Sequence, residues 1–289
     1  MHPTLRSVLI VALAAGSVVL PATAASQSDA TAQLAAAKSA WERHPANADS
    51  IIWYGRRVGY TGDFARAIAI FNEGVRLHPR DARMLRHRGH RYISVRDFPR
   101  AIADLEAAYA LVAGKPDQVE PDGQPNARGI PTSTLQSNIR YHLALAHFVS
   151  GDFVGALPVW AEDAAKAPNV DSRVASTFWW VLTLANLGRH ADARAVLAPI
   201  RADWDVIENG SYHRALLWFK GEIPEAELLP SGASALERQT AGNGIGHWHA
   251  NHGRQAQARA AWDAVLATGP SASFGYIAAE QAVARLTSR

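Results

Sequence analysis

Apolar residues recur at helical spacing through most of the chain, and the arrangement itself repeats. Ile51, Tyr54, Gly55 and Val58 fall at i, i+3, i+4 and i+7, the stripe of an amphipathic helix. Ala67, Ile68, Phe71 and Val75 make a second stripe. It stops before Pro79, because the residue ahead of a proline disfavours the helical well. Between the stripes stands Gly62-Asp63-Phe64, whose glycine suits the left-handed conformation that ends a helix. The unit returns at an offset of 34: Gly55 as Gly89, Asp63-Phe64 as Asp97-Phe98, Ala67-Ile68 as Ala101-Ile102, Phe71 as Leu105 and Gly74 as Ala108. Pro45 precedes Pro79 by the same offset, so the register starts before the first full unit. Arg96 occupies the place of the turn glycine in the second unit.

The register then breaks. The next Gly-Asp-Phe turn is Gly151-Asp152-Phe153, and it follows Arg96 by far more than one period. The excess is the segment 114–134, with Pro116, Pro121, Pro125 and Pro131, a composition that excludes a packed helix. Such an insert is either a lid over a binding face or a disordered loop. Looser units follow, with turns at Gly188, near Gly221 and at Gly253. A helix expected over Thr31–His44 caps one end of the array and one over Phe274–Leu286 caps the other, since terminal units otherwise expose an apolar face.

The small and aromatic residues at these offsets resemble the tetratricopeptide repeat (TPR), over residues 31–288. The resemblance implies an all-α, right-handed superhelical solenoid of about six helix-turn-helix repeats with terminal capping helices. It also implies that the first helix of each unit lines the concave face and the second forms the convex back.

Residues 1–24 read differently. Arg6, an apolar run over Ser7–Leu20 and Ala22-Thr23-Ala24 form a signal-peptide pattern, and the run is short for a membrane span. The expected organisation is therefore a signal peptide (1–24), a disordered lead (25–30) and a solenoid (31–289) carrying the 114–134 insert. An exported, periplasmic or secreted protein with no stable membrane insertion after cleavage is expected. The formal net charge of +3 falls to +2 once Arg6 is removed. With no basic block, nucleic acid is not an expected partner. The absence of cysteine excludes disulfides, thiolate nucleophiles and cysteine zinc sites.

If the first helices line a groove, Arg56 and Tyr60 face it from unit one, beside Trp53. Unit two gives Arg86, His87 and His90, and unit three Asn138, Tyr141 and His142. Trp179 and Asn186, Tyr212, and then Asn243, His247 and Asn251 follow from the later units. Trp180 is expected in the core, with Trp179 toward the groove. The face so drawn has cations and no carboxylate. It suits hydrogen bonding to a peptide or protein segment that carries a carboxylate or another anion. TPR domains that bind chaperone tails use a carboxylate clamp. The matching positions are Ile52, Arg56, His87, Asn138 and His142, which keep part of the pattern.

His87, His90 and His142 are the better of the histidine groups for a metal, whereas His247 and His249 lie about 200° apart on a helix. No metal or other cofactor is expected. The motifs of nucleophilic, phosphate-binding and zinc-protease sites are missing, as are carboxylates paired across the groove. The expected function is thus a non-enzymatic scaffold that binds in its groove. The alternative is an enzyme or small-molecule binder using the Arg/His-rich face closed by the insert.

Overall fold

The computed structural model describes residues 22–287. Residues 1–21, most of the expected signal peptide, lie outside them. The described residues form thirteen α-helices. The first, α1 (Ala22–Arg43), takes in the segment 25–30 that the sequence reading places ahead of the solenoid. Four helix pairs follow: α2 (Ala48–Tyr60) with α3 (Phe64–Leu77), α4 (Ala82–Ser94) with α5 (Phe98–Val112), α6 (Leu135–Ser150) with α7 (Phe153–Ala165), and α8 (Val170–Asn186) with α9 (His190–Leu197). α10 (Gly210–Lys220) has only a single 3-10 turn, Glu225–Glu227, after it. α11 (Ala235–Ala250) pairs with α12 (Gln255–Leu266), and α13 (Phe274–Thr287) ends the array. No described helix is long and apolar enough to cross a membrane.

The Gly-Asp-Phe turn works as the sequence predicts, and its chemistry is the same in each regular unit. Gly62 and Gly151 take φ of 88° and 90°. The aspartate that follows caps the second helix: Asp63, Asp97 and Asp152 accept from the backbone N–H of Arg66, Arg100 and Gly155. First helices are capped as well, by Asn47, Asp81, Thr134 and Asn169. In the looser units Arg189 and Arg254 hold the cap positions without a capping bond.

Within a pair, close approach is set by one recurring contact. A Cβ on Gly55 would lie 2.5 Å from Phe71, one on Gly89 2.7 Å from Leu105, and one on Gly246 2.2 Å from Trp262. The separation along the chain is the same in all three pairs. In units three and four the same positions hold Ala144 with Trp160 and Val181 with Leu197, all buried.

First helices touch first helices in series, α2 on α4, α4 on α6 and α6 on α8, so they form the inner face. The largest apolar core runs along the middle of the array, around Phe148, Trp160, Phe178 and Trp179. Trp179 is fully buried in it and Trp180 is half-buried, the reverse of the expected assignment.

The ends do not simply cap the array. α13 packs on α11 and α12, as a terminal cap should, and also reaches back to α6. Arg96, which takes the left-handed conformation with φ of 63°, fastens this return. Its Nε bonds Glu280 Oε2 at 2.8 Å and its Nη2 donates to Ser271 O at 2.9 Å. The solenoid therefore closes on itself.

Candidate functional site

The insert 114–134 is an ordered strap across the inner face. Its first half lies on α2 and α4. Arg56, stacked 4.5 Å over Trp53, donates to Pro121 O at 2.8 Å, and Arg57 donates to Gly123 O at 2.9 Å. Gly123 passes so close to α2 that a Cβ there would collide with the Tyr60 hydroxyl. Just ahead of these contacts the strap buries Glu120 against Arg86 and His87, two of the groove residues read from the sequence. Its carboxylate lies 3.2 Å from Arg86 Nε and 3.3 Å from His87 Nε2, and accepts from Asn138 Nδ2 at 3.0 Å. Arg86 Nη1 donates to His87 Nδ1 at 2.9 Å, which places the proton of a neutral His87 on Nε2, toward Glu120. Arg86 Nε and Glu120 Oε1 nevertheless fall short of a directed hydrogen bond. The expected acid-free face is thus corrected: the carboxylate that Arg86, His87 and Asn138 suit is supplied by the chain itself.

The second half of the strap is pinned to α8 and to the loop after α9. Thr132 O accepts from Asn169 Nδ2 and Ser172 Oγ at 2.9 and 2.7 Å. Asp171, buried on α8, accepts from the backbone N–H groups of Ile207, Glu208 and Asn209 at 2.7–3.0 Å, and so shapes that loop. The loop presents Glu208, which accepts from Asn126 Nδ2 at 2.6 Å and Thr132 Oγ1 at 2.8 Å.

Strap, inner helices and the start of α13 line a partly open cavity of about 690 Å³. α6 gives it Asn138, Tyr141 and His142, α8 gives Ser172 and Ser176, α10 gives Ser211, Tyr212 and Arg214, and α11 gives Glu237 and Thr240. His90 reaches in from α4, Phe274 from α13, and Asp122 and Glu208 from the strap and the loop. Aromatic faces make one wall: Tyr141 and Tyr212 join hydroxyls at 3.2 Å, and Trp179 Nε1 donates to Tyr141 at 2.8 Å. His90 and His142 lie 4.4 Å apart by ring centroid, each beside Phe274.

Charge in the cavity differs from the expected cationic groove. Burial, then the neighbouring arginines, pushes His87, His90 and His142 well below the ordinary histidine range, so they stand neutral. Burial also holds the Arg86 guanidinium below its usual range, against the pull of Glu120. Asp163 on the cavity wall is paired with Arg140 at 3.0 Å, and Glu237 with Arg214 at 3.2 Å. Burial and the nearby Glu208 push the Asp122 carboxyl up, with Arg56 opposing.

The structure divides the predicted site residues into three groups. Arg86 and His87 are buried beneath the strap, Arg56 and the still-exposed Tyr60 touch it, and Asn138 bridges to the cavity. His90, Tyr141, His142 and Tyr212 line the cavity. Asn186, Asn243, His247 and Asn251 lie apart from it, on the seam between α8 and α11. There Asn186 contacts His247 at 3.3 Å, and His247 is buried between Phe148 and Trp262. Asn243 is fully buried, and none of the four lines the cavity. Of the clamp positions, Ile52 is buried core, while Arg56, His87 and Asn138 hold the strap. His87 turns to Arg86 and Glu120 rather than joining His90 and His142, and no three His, Cys, Asp or Glu side chains among the described residues converge as metal ligands.

Asp122, Asp171 and Glu208 were not singled out in the sequence. Asp122 stands in a Pro-Asp-Gly sequence, a usable signal, but nothing local marks Asp171 or Glu208, whose partners lie 36 and 76 residues away.

No protein-family model matches the chain, and no curated protein matches it. Several solved structures are similar. YrrB, described as a TPR protein with an unusual peptide-binding site, is 16% identical over 85% of this chain and 98% of its own, with a TM-score of 0.45. A tetratricopeptide repeat protein from Parabacteroides merdae is 12% identical over 90% of this chain and 94% of its own, with a TM-score of 0.49. The Cut9–Hcn1 structure from the APC/C is 12% identical over 92% of this chain and 61% of that one, with a TM-score of 0.38. By its own repeat period, turn chemistry and helix pairing, the chain has the tetratricopeptide-repeat fold.

Proposed function

We propose that the protein is a non-catalytic binding scaffold that receives its ligand inside the closed solenoid rather than along an open groove. The observation that carries this reading is the partly open cavity formed where strap, inner helices and α13 meet. Its volume, about 690 Å³, lies within the range of small-ligand sites and holds a short peptide end or a metabolite of similar size. An extended peptide along the first two units would have to displace the strap, because Arg56, Arg86 and His87 are already engaged. A carboxylate-bearing partner at those residues is therefore a competitor of Glu120, and the strap is a model of how it would bind. The pattern of residues 1–24 supports export, and the mature chain is expected to begin near Ala25 in the envelope fraction by mass spectrometry.

Blocking the interior tests the reading. Ser211, half-buried on α10, faces the cavity, and Ser211→Trp should fill it while leaving the helices intact. Ligands selected from peptide and metabolite libraries should lose at least about tenfold in affinity, a change of about 1.4 kcal/mol. Undiminished binding to a folded Ser211→Trp variant would place the site elsewhere.

A further inference from the structure

The cavity wall is built to accept hydrogen bonds and positive charge. His142 is 4% exposed, and its Nδ1 lies 2.6 Å from Asn138 O. A carbonyl only accepts, so Nδ1 carries the proton and Nε2 of the neutral ring is a bare acceptor, with no bond to it among the described residues. Two carboxylates on the wall are not neutralised by a bonded cation. Asp122 has no hydrogen bond or ion pair among the described residues, and Glu208 is met only by the neutral donors Asn126 and Thr132. The other two, Asp163 and Glu237, are each paired with an arginine. Arg214, the one Lys or Arg among the described residues of the wall, is the partner of Glu237 and also donates to Leu228 O. The Arg56 cation tempers Asp122 from nearby, but its hydrogen bonds among the described residues go to Pro121 O and Tyr60 and none goes to the carboxylate. Tyr212 and Phe274 line the same wall.

We propose that the cavity takes a ligand through an ammonium or guanidinium group held by Asp122 and Glu208, with the Nε2 acceptor of His142 elsewhere on the same wall receiving a further donor of the ligand. The inference rests on the reading of the cavity as the binding site, and it sets the ligand's sign opposite to that expected from Arg86 and His87. Such a group occurs on a lysine- or arginine-bearing peptide and on a free amine, and both present the same donors. A strongly hydrated cation gains from a site of this kind only where carboxylates replace its water, which Asp122 and Glu208 supply.

The test is calorimetric titration of the full chain with probes of matched size: trilysine, triglutamate and trialanine as peptides, and spermidine and agmatine as free amines. Trilysine or the amines should bind at least about tenfold more tightly than trialanine, and triglutamate more weakly than either. Whether the peptide or the free amines bind better identifies the source of the group. The isosteric double variant Asp122→Asn/Glu208→Gln should lose that preference while still binding trialanine. Because Glu208 also holds the strap, Asp122→Asn alone serves as the second variant, and it should lose part of the preference. Equal affinity for all charges, tighter binding of triglutamate, or a preference untouched by Asp122→Asn would overturn the inference and leave the cavity as a binding site. Failure of every probe to bind would overturn both readings.

Discussion

At Gly89 the space for a side chain is already filled by Leu105, as it is at Gly55 by Phe71. Gly89→Leu should therefore overpack the α4–α5 contact and cost about 1–3 kcal/mol. Arg100→Leu, at an exposed position on α5, should matter far less, because ion pairs in water contribute little. Denaturant midpoints at unchanged m-value compare the two, and equal midpoints would contradict the packing. A second residue-scale effect concerns His87, His90 and His142, each held well below the ordinary value of 6.5 by burial first and arginines second. The unfolded chain takes up these protons near pH 6.5 and the folded chain only further down. Between those points the unfolded state binds more protons, so stability falls as the pH drops below that value and is unaffected by these groups above it. Melting temperature should decline from about pH 7 to about pH 5 more steeply in the wild type than in His90→Gln/His142→Gln. Parallel slopes would show that these histidines do not report on burial.

Among the elements, the strap is the least secure. Its one buried carboxylate faces Arg86 and His87 without full hydrogen-bond geometry. Glu120→Ala would leave the Arg86 guanidinium buried and uncompensated, a loss of about 3–5 kcal/mol where the segment cannot move. The strap can lift and admit water, so its release is the expected outcome. Tryptic cleavage at exposed Arg128 should then be several-fold faster in the variant, with the helices unchanged by circular dichroism. An unchanged cleavage rate would mean that Glu120 does not hold the strap. The sequence shows where this element begins and ends, because prolines and a broken period are local signals. Its path was not legible, since Pro121, Gly123 and Thr132 are fixed by partners up to 66 residues away. For the same reason Arg86 and His87 read as an open anion site until Glu120 is placed against them.

At the scale of the molecule, period and turn chemistry made the helix pairs legible from Gly55 to Trp262, including the shortened fifth unit. Closure was not legible. It depends on Arg96, whose place in the turn looked like a lost glycine and which instead grips α13 across 184 residues. With α13 returned to α6 and the strap laid over α2 and α4, the concave face becomes an interior, and only part of the expected groove remains as its lining. His247 and Asn243 were assigned to the groove by repeat register. They are buried although that unit keeps the glycine-to-partner spacing of the first two: His247 is packed between Phe148 of α6 and Trp262 of α12. The chain has no cysteine, so a pair of labels can be introduced without background. Spin labels at Val95→Cys, beside Arg96, and Ala284→Cys, on α13, measure the closure on which the cavity depends. The account predicts one short, narrow distance in the wild type that broadens in Arg96→Ala. A long, broad distribution in the wild type would show an open superhelix and contradict it.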